Sequence, residues 1–138
     1  MIELLVASPG GSVYAGYGVI DVMRGLKSPV RTIATGLAAS MAAAIFCCGA
    51  KGERVMLPSS KLMLHQPHAS GVKVREQARN ALASANELEA NRRLLVDTLV
   101  ATSSQTRAEI NELIRADAFL TAEEAVRMGF ADRVDSHA

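Results

Sequence analysis

The sequence predicts an α/β domain, and three observations support this fold class. Short apolar runs typical of strands alternate with segments whose apolar residues recur at helical spacing. Hydrophobic residues make up 49% of the 138 residues, which excludes a largely disordered chain. Two Thr-x-x-Glu capping boxes mark helix starts in the last third of the chain. We therefore expect one domain over residues 1–138, with strands joined by right-handed helical crossovers.

The first half of the chain is expected to contain four strands and two helices. The strand at residues 2–7 breaks at the tight turn Ser8-Pro9-Gly10-Gly11, because proline and glycine end regular structure. The other elements follow in chain order: a helix at 13–26, a strand at 29–35, a turn at 36–39, a helix at 40–50, and strands at 54–57 and 61–64.

The second half is predicted to be mostly helical. A long periodic segment covers about residues 74–100. The capping boxes begin two shorter helices at Thr106 and Thr121, and Gly129 is the expected C-terminal cap of the second. Residues 131–134 are predicted to form a last short strand.

Charge and cysteine content argue against several classes of protein. The chain has 15 Lys and Arg against 14 Asp and Glu, so its net charge of +1 offers no basis for nucleic-acid binding. The adjacent Cys47 and Cys48 suit neither a disulfide nor a metal site, and the first residues lack a signal-peptide pattern. We therefore expect a cytoplasmic protein with the two cysteines inside a buried helix.

Residues 32–50 carry no charge and approach the length of a membrane span. The segment consists mainly of small residues, and Gly36 follows a β-like stretch, so its hydropathy is modest and its structure changes midway. A strand followed by a buried helix is the better interpretation, and no membrane association is expected.

Two segments are suited to stabilising an anion. The turn at residues 8–11 leaves backbone N–H groups free to face a ligand. Ser40 and Met41 begin a helix after a strand and a glycine-containing turn, which places a hydroxyl at the positive end of the helix dipole. The strand–turn–helix arrangement around Ser40 resembles a nucleophile elbow, although the segment lacks the G-x-S-x-G motif. The alternative is that Ser40 is only an N-cap.

The residues alone leave the partners of such a serine open. His65 ends a strand and is suited to general-base chemistry, but His68 is an equal rival by position, and His137 in the tail is weaker. Five aspartates could orient the base: Asp21, Asp97, Asp117, Asp132 and Asp135. There is a slight preference for Asp117, which is expected in a turn between two capped helices.

A series of motifs then resembles one family along nearly the whole chain. In order, the motifs are S-P-G-G (8–11), A-A-S-M-A (38–42), G-A-K-G-x-R (49–54), L-P-S-S (57–60), M-L-H-Q-P (63–67), D-x-F-L-T-A-E-E-A-V-x-x-G (117–129) and A-D-R-V (131–134). The chain resembles the proteolytic subunit of the Clp protease, ClpP, or a phage-encoded relative of it.

The resemblance implies a serine endopeptidase. Ser40 matches the family's nucleophile, His65 its general base and Asp117 its orienting carboxylate. Backbone N–H groups of Gly11 and Met41 match the oxyanion hole. The family's substrates lie as an added strand, which implies contacts with Gly10, Gly11, Pro67 and His68.

The resemblance also implies a fold and an assembly. The fold is a crotonase-like spiral of β-β-α units with a long projecting handle helix. Subunits of the family form seven-membered rings that stack in pairs, and an AAA+ ATPase feeds polypeptides into the chamber. No metal or other cofactor is expected, because ATP would be used only by that partner.

Two departures from the family pattern bear on assembly. The chain starts in the strand before S-P-G-G, so the N-terminal elements that help form ring contacts in the family are expected to be absent. Residues 67–73 replace the Gly-rich loop that usually follows H-Q-P. Both departures leave a fragment and a naturally short, phage-type member as alternatives.

Three other functions compete with an active peptidase. A crotonase-fold acyl-CoA enzyme would normally have carboxylates near the hole, and none flanks Gly10-Gly11 or Ser40-Met41. A non-catalytic or partner-dependent ring subunit is opposed by the presence of all three triad residues. A Ser-Lys peptidase would need Lys51 or Lys61 as its base, which His65 makes unnecessary.

Overall fold

The computed structural model describes residues 1–68 and 77–136, with the backbone alone at residues 77–80. The elements are β1 (Ile2–Ser8), α1 (Val13–Gly25), β2 (Val30–Ala39), α2 (Met41–Cys47), β3 (Arg54–Met56), β4 (Lys61–Leu64), α3 (Gln77–Thr102), α4 (Arg107–Arg115), β5 (Ala118–Thr121), α5 (Ala122–Arg127) and β6 (Arg133–Val134). The α/β class predicted from the sequence is confirmed.

The long strand β2 is the centre of a six-stranded sheet with the order β5-β4-β2-β3-β6, and β1 also pairs with β2. The pairs of β2 with β1, β3 and β4 are parallel, as is the pair of β3 with β6. Only β5 runs the other way, antiparallel to β4, among the strands that the structure describes. Parallel strands bring their carboxyl ends to one edge of the sheet, and that edge carries the candidate site.

The turn predicted at residues 36–39 is wrong, because β2 continues through it to Ala39. Gly36 adopts a positive φ of 62°, which glycine tolerates, and β1 shifts its register beside it. Before Gly36 the strand pairs with β3, and after it with β4. The glycine therefore marks a bulge at which β2 exchanges partners.

The helix predicted at residues 40–50 is shorter than expected, because α2 ends at Cys47. The Gly49 N–H donates to Phe46 O in a turn, and the Ala50 N–H donates to Val30 O at 2.8 Å. The chain thus returns to the sheet immediately after Cys48. A turn was also predicted between the two capped helices, and the strand β5 (Ala118–Thr121) forms there instead.

The core is built around α2. Six of its seven residues are buried, and the fully buried Phe46 belongs to one hydrophobic cluster with residues of β2, α3 and α5. The expectation of a strand followed by a buried helix over residues 32–50 is confirmed. Both cysteines are free thiols, and burial raises the pKa of each. None of the helices in the described ranges is long and apolar enough to cross a membrane.

The long helix predicted at residues 74–100 is observed as α3, Gln77–Thr102, and its predicted start at residue 74 lies outside the described residues. Helical spacing suggested an apolar face along the whole segment, but residues 81–87 are all exposed and Leu82 is 76% exposed. Among the α3 side chains that the structure describes, the buried apolar ones are in the second half of the helix: Leu95, Val96 and Leu99. The periodicity identified the helix correctly and overestimated its buried length.

The two predicted capping boxes are present and fix the last third of the chain. Thr106 and Thr121 accept hydrogen bonds from the N–H groups of Glu109 and Glu124, whose carboxylates accept in return. The α5 helix ends in a Schellman motif, in which Gly129 (φ 78°) follows the cap. The predicted final strand is shorter than expected and covers Arg133–Val134 alone.

An ion pair joins the starts of the neighbouring strands β3 and β6. The buried Arg54 guanidinium donates to both carboxylate oxygens of Asp132 at 2.9 and 2.6 Å, and also to Thr102 O. The Asp132 carboxylate accepts further bonds from the N–H groups of Gly52 and Arg54 at 2.8 and 2.9 Å. Arg54 at the start of β3 and Asp132 directly before β6 therefore serve a structural role, which is to hold these two strands together.

Candidate active site

Three strands bring three side chains together at one edge of the sheet. Ala39 at the end of β2 pairs with Met63 of β4, so Ser40 and His65 lie just beyond neighbouring parallel strand ends. Leu64 of β4 pairs with Ala118 of the antiparallel β5, so Asp117 enters β5 opposite His65. Strand register alone therefore places Ser40, His65 and Asp117 side by side.

Ser40 sits in a strained turn between β2 and α2. Its φ is 58°, and it is the only non-glycine residue with positive φ in the described ranges. Its N–H donates to Met63 O at 2.9 Å and its carbonyl accepts from the Ala44 N–H, which hold the turn from both sides. Its hydroxyl makes no helix-capping bond. The N-cap alternative is therefore not the role of this hydroxyl, and strain of this kind is typical of functional positions.

The close packing of Gly10 holds the turn at residues 8–11 against Ser40. A Cβ at position 10 would lie 2.7 Å from Ser40 Cβ and 2.8 Å from Ala39 O, and the φ of Gly10 is 101°. The Gly10 N–H donates to Ser8 Oγ at 3.1 Å. The two segments that the sequence suggested as anion sites are thus in direct contact.

Gly10→Ala is expected to lower the free energy of unfolding by about 2–4 kcal/mol, because it adds both a positive-φ strain and a clash with backbone atoms. Chemical denaturation measures the loss. The matched control is Gly18→Ala in α1, where a Cβ meets nothing within 4 Å. That variant is expected to be unchanged or more stable by about 0.5–1 kcal/mol. Equal stability of the two variants would contradict the packing described at Gly10.

His65 lies within reach of the serine. Its Nε2 is 2.7 Å from Ser40 Oγ, and its side chain is 17% exposed. The Gln66 N–H donates to Ile114 O at 2.9 Å, which anchors the chain directly after the histidine. Burial lowers the pKa of His65, the neighbouring His68 lowers it further, and Asp117 opposes both. The net downward shift keeps the imidazole neutral at pH 7, the form that can accept a proton.

The other nitrogen of His65 has two neighbours. Asp117 Oδ1 is 3.6 Å from Nδ1, which is longer than a hydrogen bond, while His68 Nε2 is 3.0 Å away. The two imidazole rings meet edge to face with centroids 4.7 Å apart. The sequence treated His65 and His68 as rivals for one role, and the structure instead makes them neighbours with different contacts.

Several of the alternative residues are placed elsewhere. Asp97 pairs with Arg107 at 2.7 Å and Asp132 with Arg54, so both carboxylates already have basic partners. Lys51 and Lys61 are exposed. His137 and most of the 67–73 junction lie outside the described residues.

A groove runs along the apolar side of the serine turn. Its volume is about 390 Å³, and its lining includes Gly10, Gly11 and Met41 together with apolar residues of β1 and α1. Met41 is the first residue of α2, where backbone N–H groups have no acceptor within the helix. The expected oxyanion donors Gly11 and Met41 therefore line one groove, while the expected substrate contacts Pro67 and His68 follow His65 in the chain.

Comparison with known proteins identifies the family. A family model described as Clp protease matches residues 1–138. The chain is 44% identical over 136 residues to the ATP-dependent Clp protease proteolytic subunit 3 of Synechococcus sp. (strain CC9902), covering 99% of this chain and 67% of the relative. It is 40% identical over 136 residues to the ATP-dependent Clp protease proteolytic subunit 2 of Prochlorococcus marinus (strain NATL2A), with the same coverages.

A more distant relative supports the same assignment. The chain is 37% identical over 133 residues to the ATP-dependent Clp protease proteolytic subunit 1 of Protochlamydia amoebophila (strain UWE25), covering 96% of this chain and 64% of the relative. The chain thus spans about two thirds of the length of these proteins. With the whole-chain match and an α/β sheet of the expected kind, the resemblance found in the motifs is confirmed: the chain belongs to the Clp protease family.

Proposed function

We propose that this chain is a serine endopeptidase in which Ser40 is the nucleophile, His65 the general base and Asp117 the carboxylate that stabilises the charged imidazole. The observation that carries the proposal is the 2.7 Å separation of Ser40 Oγ and His65 Nε2, with the serine in a strained turn after a strand. A nucleophile and base within hydrogen-bond reach are the first requirement of acyl-transfer chemistry.

The proposed reaction follows from this contact. Ser40 Oγ attacks the carbonyl carbon of a peptide bond while its proton passes to His65 Nε2. The protonated imidazole then gives that proton to the leaving amine as the C–N bond breaks. In the second half of the reaction, water attacks the acyl-enzyme while His65 accepts its proton, and His65 then returns that proton to Ser40 Oγ as the ester bond breaks. Asp117 lies 3.6 Å from Nδ1, close enough to favour the imidazolium that forms in between.

Backbone N–H groups of Gly11 and Met41 are the proposed oxyanion donors. Support comes from the contact of Gly10 with Ser40 and from the position of Met41 at the first turn of α2. Each donor of this kind is typically worth roughly 3 kcal/mol in the transition state. An extended polypeptide is the proposed substrate, lying between the 10–11 turn and the Pro67-His68 segment.

We also propose that the chain acts as a subunit of a ring that works with a Clp-type ATPase; its relatives are named proteolytic subunits of an ATP-dependent Clp protease. Support comes from an exposed apolar surface on β1 and α1, which single globular subunits seldom present to water. Its exposed members are Ile2, Leu5, Val19, Val22 and Leu26.

Labelling with a fluorophosphonate probe tests the proposed chemistry, because such a probe reacts with an activated serine hydroxyl and not with an ordinary one. The expected result is one adduct per chain, which peptide mass spectrometry assigns to Ser40. Native mass measured on the same sample reports the oligomer. An adduct at any other serine, or none on assembled chains, would overturn the assignment of Ser40.

A further inference from the structure

The side of His65 that faces away from Ser40 carries a cluster of metal-binding groups. His65, His68 and Asp117 each present one ligand atom, and these atoms all lie within 4.8 Å of one another. We propose that these three residues form an inhibitory site for a Zn²⁺ ion. The spacing of residues along the chain does not predict this site, because Asp117 joins the two histidines only through the pairing of β4 with β5.

The distances suit a tetrahedral ion. Zinc bonds to histidine nitrogen and carboxylate oxygen are about 2.0–2.2 Å, so two ligands of one tetrahedral ion stand roughly 3.3–3.5 Å apart. His65 Nδ1 is 3.0 Å from His68 Nε2 and 3.6 Å from Asp117 Oδ1. These two distances lie on either side of that separation, and the third pair of ligand atoms is within 4.8 Å, so side-chain rotations would bring all three atoms onto one ion.

The donor set favours zinc over the common hard cations. Two imidazole nitrogens and one carboxylate are typical ligands of Zn²⁺, whereas Mg²⁺ and Ca²⁺ prefer oxygen ligands throughout. The site is open to solvent, because the Asp117 side chain is 64% exposed and His68 is also exposed. An ion can therefore enter directly and keep a water molecule as its fourth ligand.

Zinc at this position would prevent His65 from acting as the proposed general base. A neutral imidazole that binds metal through Nδ1 carries its single proton on Nε2. Nε2 would then donate to Ser40 Oγ and could not accept the serine proton. The proton only moves from Nδ1 to Nε2 of the same ring, so inhibition needs no net proton release from His65. This inhibition rests on the proposed function, whereas metal binding rests on the three ligand atoms alone.

Zinc binding is therefore tested first in the Ser40→Ala variant, which lacks the proposed nucleophile and retains every ligand. Competition with a chromophoric zinc chelator is expected to show one site per chain. Adding His68→Ala or His68→Gln to that variant is expected to weaken binding by roughly tenfold or more, since loss of even an outer-shell partner costs that much. Adding His137→Ala is the matched control and is expected to leave the site intact.

Inhibition is then measured on chains with Ser40 present, as the rate of fluorophosphonate labelling at rising free Zn²⁺ relative to each protein's own rate with EDTA. Labelling of the wild-type chain is expected to slow as zinc rises and to recover when EDTA is added. The His68 variants are expected to need at least roughly tenfold more zinc for the same slowing, and Mg²⁺ is expected to have no effect. The zinc site is overturned if Ser40→Ala shows no stoichiometric binding or if the His68 substitutions leave it unchanged. Failure of labelling without added metal would overturn the proposed function and leave the binding result standing.

Discussion

Ser40→Ala is expected to lower kcat for peptide hydrolysis by roughly 10⁶-fold, which is the loss seen when the nucleophile of a serine triad is removed. The side chain is small, and its hydroxyl contacts His65 without capping α2, so its removal takes away the reacting atom and little packing. Hydrolysis of a fluorogenic peptide by the assembled protein, with unfolding followed in parallel, measures both effects.

The double variant Ser40→Ala/His65→Ala is expected to be no slower than Ser40→Ala alone, because a base has no role without its nucleophile. Ser28→Ala is the matched control, since Ser28 is exposed in the loop before β2. Activity of Ser40→Ala within tenfold of the wild-type chain would show that another group attacks the peptide.

Asp132→Asn is expected to lower the free energy of unfolding by about 3–5 kcal/mol, the cost of leaving one member of a buried ion pair without its partner. The Arg54 side chain is 7% exposed, and Asp132 is its counter-ion at 2.6 Å. The amide keeps only one acceptor oxygen, so it cannot accept from the N–H groups of Gly52 and Arg54 through one oxygen and from Arg54 Nη2 through the other. Denaturant titration measures the change.

The control for Asp132→Asn is Asp97→Asn, because Asp97 pairs with Arg107 at 2.7 Å but both side chains are more than half exposed. Such a surface pair contributes about 0–1 kcal/mol, so this variant should unfold almost as the wild-type chain does. Comparable losses in the two variants would contradict the importance assigned to burial of the Arg54–Asp132 pair.

The same pair predicts a pH dependence of stability. Burial would raise the pKa of Asp132, but hydrogen bonds from Arg54 more than offset this and lower it below 3.8. The folded state therefore holds the carboxylate more strongly deprotonated than the unfolded state does. The pair's contribution is complete above pH 3.8 and is lost as pH falls through the lower folded value. Asp132→Asn should lack this acid-dependent component.

Local structure was predicted well where it depends on nearby residues. The predicted helix at residues 13–26 is observed at Val13–Gly25, the strand Lys61–Leu64 matches in full, and both capping boxes form as expected. These features arise from side chains a few positions apart. The errors fall where distant pairing decides the outcome. β2 runs past Gly36 because β4 offers new partners, and β5 forms because β4 has a free edge.

The sequence by itself determined the family, the serine that begins the helix after β2 and the histidine that follows β4. Residue patterns alone left five aspartates as candidates and did not separate His65 from His68, and only the resemblance to the family implied Asp117 and His65. Tertiary structure decided which of these groups meet: strand register brings Asp117 to 3.6 Å from His65, and His68 lies 3.0 Å from the same nitrogen. The physical reason is that the chemistry of a side chain follows from its residue type, which the sequence gives directly. Distances between residues far apart in the chain depend instead on the backbone hydrogen bonds that set the register between strands.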